Sequence, residues 1–138
     1  MRELAKAYLD EAEDRLKIAE NSFQSSKWSL CIRASQECVE LSLKAVLRLI
    51  GIEYPKEHDV SKVLMIEQHR FPKEFSSLVD ELASISRSLA KLRGPSVYGD
   101  EVRGIPAISL FTDKDAKYAL DGAKKVFDAC MKLYVLYD

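Results

Sequence analysis

The sequence predicts an all-α fold: an up-and-down bundle of four long helices plus one short helix, in a single domain spanning residues 1–138. Three observations carry this. Apolar residues recur every three or four positions in segment after segment. No segment alternates apolar and polar residues as a half-buried strand would. Helix-boundary residues, Gly51, Pro72 and Thr112, stand where the periodic runs break.

The first periodic run is Ala5, Leu9, Ala12, Leu16, Ala19 and Phe23, with Glu3, Lys6, Asp10, Glu13, Asp14 and Lys17 opposite. It predicts an amphipathic helix of about 22 residues. The stretch "NSFQSSKW" follows as a turn. A second helix is expected from about Lys27 to Ile50, stopped by Gly51. It has two apolar stripes: Leu30, Ala34, Cys38, Leu41, Ala45 and Leu49, and then Val39, Leu43, Val46, Leu47 and Ile50. Two such faces need two packing partners, so this is either a central bundle helix or a helix at a subunit interface. Arg33, Glu37, Glu40, Lys44 and Arg48 fill the remaining strip.

After the loop "IEYPKEHD", His58 or Asp59 is placed to begin a short helix over "VSKVLMIEQH". Pro72 suits the first turn of the next long helix. Its stripe is Phe75, Leu78, Leu82, Ile85, Leu89 and Leu92, and it is expected to end near Arg93. Residues 93–111 hold three Gly and two Pro, so they read as a long irregular loop crossing the bundle surface. Thr112 caps the last helix, with Asp113 and Asp115 in its first turn. Its stripe is Ala116, Ala119, Ala123, Phe127, Cys130, Tyr134 and Tyr137.

Bulk properties narrow the function classes. Lys and Arg total 21 against 22 Asp and Glu, a net charge of −1, which argues against a strongly basic nucleic-acid binder but allows a local basic patch. The N-terminus is charged from its start, without a signal-peptide core, and no apolar run reaches the roughly 18 residues that span a membrane. A cytoplasmic location and no membrane partner are expected. Cys31, Cys38 and Cys130 are an odd set without zinc-ligand spacing, so they read as free, buried core residues. Metal-protease, Walker and dinucleotide motifs are all absent, and neither a metal nor a cofactor is expected.

The order of segments resembles a known family. An amphipathic helix is followed by "WSLCIRASQECVELSLKAVLRLIG", then "HDVSKVL", then "LRGPSVYGD". Ala34, Glu40, Lys44, Ala45 and Leu47, with Gln36 nearby, resemble the second-helix motif of the HEPN domain family (higher eukaryotes and prokaryotes nucleotide-binding). His58, Val60 and Leu64 resemble its next segment, with Glu57 where Thr is usual, and Arg93 and Tyr98 resemble its third. The resemblance covers nearly the whole chain. It implies a helical bundle, commonly a homodimer. It also implies a toxin-like protein paired with a small nucleotidyltransferase, a nucleotide-binding module, or a metal-independent ribonuclease using an R-x(4–6)-H motif.

That ribonuclease motif is incomplete here. Tyr98 stands five residues after Arg93, and the histidines, His58 and His69, both precede it. Tyrosine, with a pKa of about 10, is a poor base at neutral pH. The expected function is therefore a dimeric nucleotide- or partner-binding module. The alternatives are a ribonuclease in which Arg93, Tyr98 and His58 act together, and a purely structural or regulatory dimer. Candidate ligand-binding residues are Arg93, Tyr98, Lys44 and Glu40, with Lys91 and Arg103 adding charge; His69 reads as a surface residue. A competing reading gives Arg93 to a buried ion pair with Glu40, shared with Lys44, because buried charges must be paired.

Overall fold

The computed structural model describes residues 1–137 and is helical throughout that span, apart from its connecting turns and one isolated bridge between Asp100 and Ile105. The helices are α1 (Arg2–Gln24), α2 (Trp28–Leu49), α3 (Ser61–Ile66), α4 (Lys73–Ser76), α5 (Val79–Tyr98), α6 (Ala107–Leu110) and α7 (Asp113–Leu136), with a 3-10 turn at Gln68–Arg70. Helices α1, α2, α5 and α7 are the four long ones expected.

Helix α2 lies at the centre and packs against α1, α7 and α5. Both of its apolar faces are thus covered within one chain, which answers the choice left open by the sequence. Cys38, Val39, Leu43, Ala45, Val46 and Leu47 are all essentially inaccessible to solvent. Fully burying a Leu or Val contributes about 1.5–3 kcal/mol, so this one helix anchors much of the core. Leu30 departs from its expected stripe and is exposed. Cys31 takes the inward position instead, its thiol 3.7 Å from the Ala116 carbonyl.

All three cysteines are free and buried. Burial holds the Cys38 thiol up at about 12, despite a hydrogen bond to Ser42, and pushes Cys130 well above its ordinary range. Such thiols pack as small apolar groups. In α7 the buried stripe turns toward Val126, Ala129 and Leu133, leaving Phe127 and Tyr134 half-buried and Tyr137 exposed.

Three boundaries differ from the sequence reading. First, α1 continues to Gln24, so the turn is confined to residues 25–27. Second, the helix begun at Pro72 breaks after one turn: α4 ends at Ser76 and α5 starts at Val79. Third, α5 does not end at Arg93. It runs through Gly94 and Pro95 to Tyr98. Proline lacks the N–H that would bond the carbonyl four residues earlier. That carbonyl belongs to Lys91, an exposed residue, so the loss falls on the wet side of the helix.

Gly99 is the true stop, with φ +73°, and its amide bonds the Pro95 carbonyl at 2.9 Å. A Cβ at Gly99 would run into the Ile105 carbonyl and would lie 2.7 Å from the Ala107 amide. The segment beyond is a tight turn rather than a long irregular loop. Asp100 and Ile105 exchange two backbone hydrogen bonds, of 2.8 and 2.9 Å. The Asp100 carboxylate also accepts from the Arg103 amide and guanidinium, at 3.0 and 2.7 Å. Then α6 leads to α7, which Thr112 caps as the sequence indicated, and Asp115 closes a capping box with it.

Candidate functional site

Helix α1 lines one side of the charged strip on α2, and α5 and the 50–60 loop line the other. Glu37 and Glu40 lie one turn apart on α2, so their carboxylates leave the helix on the same side. Around them the structure assembles a continuous polar chain drawn from α1, α2, the loop and α5.

Glu37 is the hub of one half. Its Oε1 accepts from Arg15 Nε at 3.2 Å, and its Oε2 lies 3.2 Å from Arg93 Nη1 and 3.6 Å from Arg33 Nε. Glu40 is the hub of the other half. Its Oε2 accepts from Lys44 Nζ at 2.8 Å, while its Oε1 lies 2.8 Å from His58 Nδ1 and 3.1 Å from Gln36 Nε2. Gln36 joins the halves. It is 1% exposed, and its Oε1 accepts from Arg93 Nη1 at 3.0 Å. An amide can donate and accept at once, so Gln36 passes the chain from a guanidinium to a carboxylate inside the bundle.

Burial pushes the Glu40 carboxyl up. Hydrogen bonds from Lys44, Gln36 and His58 outweigh it, and the group ends below the ordinary carboxylate range. It is therefore ionised at neutral pH. Its bond to His58 Nδ1 fixes the imidazole orientation and leaves Nε2 as the ring nitrogen open to a ligand.

Two clefts meet at Arg93 and His58. One, of about 170 Å³, is lined by Arg15, Glu37, Glu40, Leu41, His58 and Arg93. The other, of about 340 Å³, adds Arg33, Ala90, Gly94, Val97 and Tyr98. The structure thus brings Arg93, Tyr98 and His58 to one groove, with Glu40 beside them. Tyr98 is at its rim, 69% exposed. Lys44 is held back from the groove. It binds Glu40 and lies 5.4 Å from the Tyr54 ring centroid, where Arg48 also stacks at 4.9 Å. Arg103 is tied to Asp100, and Lys91 and His69 lie outside both clefts.

Arg93 is directed inwards, but its ion-pair partner is Glu37 rather than the expected Glu40. Lys44 and His58 already occupy both oxygens of Glu40, while Glu37 lies one turn nearer the end of α2 that α5 crosses with Arg93. Sequence reading did not single out Arg15, or Gln36 as the bridge. Both left a signal. Arg15 stands at the edge of the α1 apolar stripe, between Ala12 and Ala19, and Gln36 is an amide inside a nearly all-apolar run. Asp59 was placed as a helix starter. Its Oδ1 accepts from the Ser61 amide and from Ser86 Oγ, both at 2.9 Å, which pins the His58 loop to α5.

Among the described residues no cluster of His, Cys, Asp or Glu could hold a metal ion, and no helix is long and apolar enough to cross a membrane.

Comparison with known proteins agrees with this architecture. The chain is 27% identical over 130 residues to the Methanocaldococcus jannaschii protein named "Putative toxin MJ1304", covering 90% of this chain and 84% of that one. The crystal structure of TT1696 from Thermus thermophilus shares its fold with a TM-score of 0.75 at 23% identity, over 93% of this chain and 96% of that one. The crystal structure of ST0689, an archaeal HEPN homologue, does so with a TM-score of 0.68 at 22% identity, over 94% and 97%. The HEPN domain model matches residues 5–133, and the chain belongs to the HEPN domain family.

Proposed function

We propose that this protein is a toxin-like HEPN module that works as a homodimer and binds the phosphate of a nucleotide or RNA in the Arg93 groove, with a nucleotidyltransferase as its protein partner. One observation carries the reading: Arg93 is held by Gln36 and Glu37 at the mouth of an open cleft that also receives His58 and Tyr98. A guanidinium fixed in this way suits phosphate, whose oxygens match its fork of donors. The family and the similarity to a protein named as a toxin support the wider role. The dimer no longer rests on α2, whose faces are covered. It rests on Tyr98, Val102 and Ile108, which are 69, 99 and 82% exposed along the α5–α6 segment.

A second reading, an endoribonuclease, is favoured by a specific feature. His58 precedes Arg93 by 35 residues, yet the two line the same clefts. Glu40 orients the imidazole, and an oriented histidine near neutral pH can act as acid or base.

The test has three arms. Sedimentation at micromolar concentration is expected to give a dimer. Affinity capture from the native cell, read by mass spectrometry, is expected to retrieve a nucleotidyltransferase. Titration with labelled RNA is expected to show binding that Arg93→Gln weakens, and cleavage lost in His58→Ala would select the enzyme. A monomer that captures no nucleotidyltransferase and binds no RNA refutes the proposal.

A further inference from the structure

Glu37 is the feature that phosphate binding alone does not explain. Three guanidiniums converge on its one carboxylate: Arg15 from α1 at 3.2 Å, Arg33 from α2 at 3.6 Å and Arg93 from α5 at 3.2 Å. Three positive charges against one negative leave an excess of two within a chain of net charge −1. The carboxylate is not sealed in. Its side chain is 23% exposed, and those of Arg15, Arg33 and Arg93 are 34, 46 and 26% exposed. A structural ion pair needs one arginine, and here two extra ones face a cleft.

We infer that Glu37 is an internal competitor for the anion this cleft takes: it holds Arg15, Arg33 and Arg93 together in the ligand-free chain and opposes an incoming phosphate. The inference rests on the reading of the groove as a phosphate site and adds two elements to it. Arg15 and Arg33 become ligand-binding residues, and Glu37 becomes the residue that sets how tight and how selective binding is. A carboxylate and a phosphate present similar oxygens to a guanidinium, so the two compete for the same donors. When phosphate arrives, Glu37 becomes a like-charged neighbour, and that juxtaposition weakens binding. A ligand carrying two negative charges matches the excess of the cluster, while one carrying a single charge does not. The cluster therefore favours a terminal phosphate, or two adjacent phosphates of a strand, over an isolated carboxylate. Glu40 does not take part in this competition, because Lys44, His58 and Gln36 already satisfy it.

The test uses the whole chain and a 5′-fluorescein oligo(U) decamer, read by anisotropy, with inorganic phosphate as competitor. Glu37→Gln keeps the shape and removes the charge, and is expected to bind about ten-fold more tightly, with a steeper loss of affinity in salt. Arg15→Gln is expected to bind about ten-fold more weakly. Circular dichroism melts report whether each variant is folded. Equal or weaker binding by folded Glu37→Gln overturns the inference. If that variant does not fold, Arg15→Gln decides, and parent-like binding overturns it. If Arg93→Gln abolishes binding while the other two match the parent, the groove stands and only the role of Glu37 falls. If Arg93→Gln binds as the parent does, both readings fail.

Discussion

Replacing Arg93 by methionine keeps most of the aliphatic stem and removes the guanidinium, so its effect isolates the polar chain. Two acceptors lose a donor. Glu37 keeps Arg15 at 3.2 Å and Arg33 at 3.6 Å, so its carboxylate is not orphaned. Gln36 has no such reserve. Its Oε1 accepts from Arg93 at 3.0 Å, and the residue is 1% exposed, so water does not readily replace that bond. Leaving a buried acceptor unpaired costs about 1–3 kcal/mol. That is less than the roughly 3–5 kcal/mol for stranding a buried charge, because the charge here stays paired. Taking about 2 kcal/mol, and an unfolding entropy of about 2.1 cal/mol/K per residue, the melting temperature should fall by roughly 7 °C. Thermal melts followed by circular dichroism measure this directly. Urea melts should show a lower midpoint with an unchanged slope. A melting temperature within about 1 °C of the parent would refute the reasoning, since Gln36 would then have found another donor or water. Arg93 and Glu40 share Gln36 as a hydrogen-bond partner, so Glu40→Gln combined with Arg93→Met should depart from additivity by about 0.5 kcal/mol or more.

The remaining predictions concern pH and the end of α5. The folded-state pKa of Glu40 lies below its ordinary value of 4.5, so its contribution to stability is fully present above that value and is lost as pH falls through the folded-state pKa. Urea midpoints should therefore drop below about pH 4.5 in the parent and drop less in Glu40→Gln, and parallel curves would contradict the assignment. Gly99→Ala forces a Cβ into the Ile105 carbonyl at a φ of +73°, so it should destabilise by more than about 1 kcal/mol. It should also loosen the Asp100–Ile105 turn, seen as faster amide exchange at both residues, whereas unchanged exchange and melting would show that the turn tolerates the clash.

The sequence by itself determined the class of fold. Four helices follow from apolar spacing, the start of α7 from the capping chemistry of Thr112, the end of α2 from Gly51, which takes a φ of +78°, and the free, buried cysteines from their odd number and their lack of zinc-ligand spacing. These are local properties: a helix face is read within a few turns, and a cap within one. The family resemblance was legible for a related reason, because Glu40, Lys44, His58, Arg93 and Tyr98 stand in a fixed order along the chain. What only the tertiary structure decided was who meets whom. Glycine and proline at 94 and 95 signal a helix end, yet the last turn of α5 survives because the missing hydrogen bond falls on its exposed side. The partner of Arg93 is Glu37 and not Glu40, a choice made by where α5 crosses α2 and by Lys44 and His58 having filled Glu40. Arg15 reaches the same carboxylate from 22 residues away. No periodicity reports such a meeting, because ion pairs between helices depend on crossing geometry, and that geometry is set by the packing of the whole core.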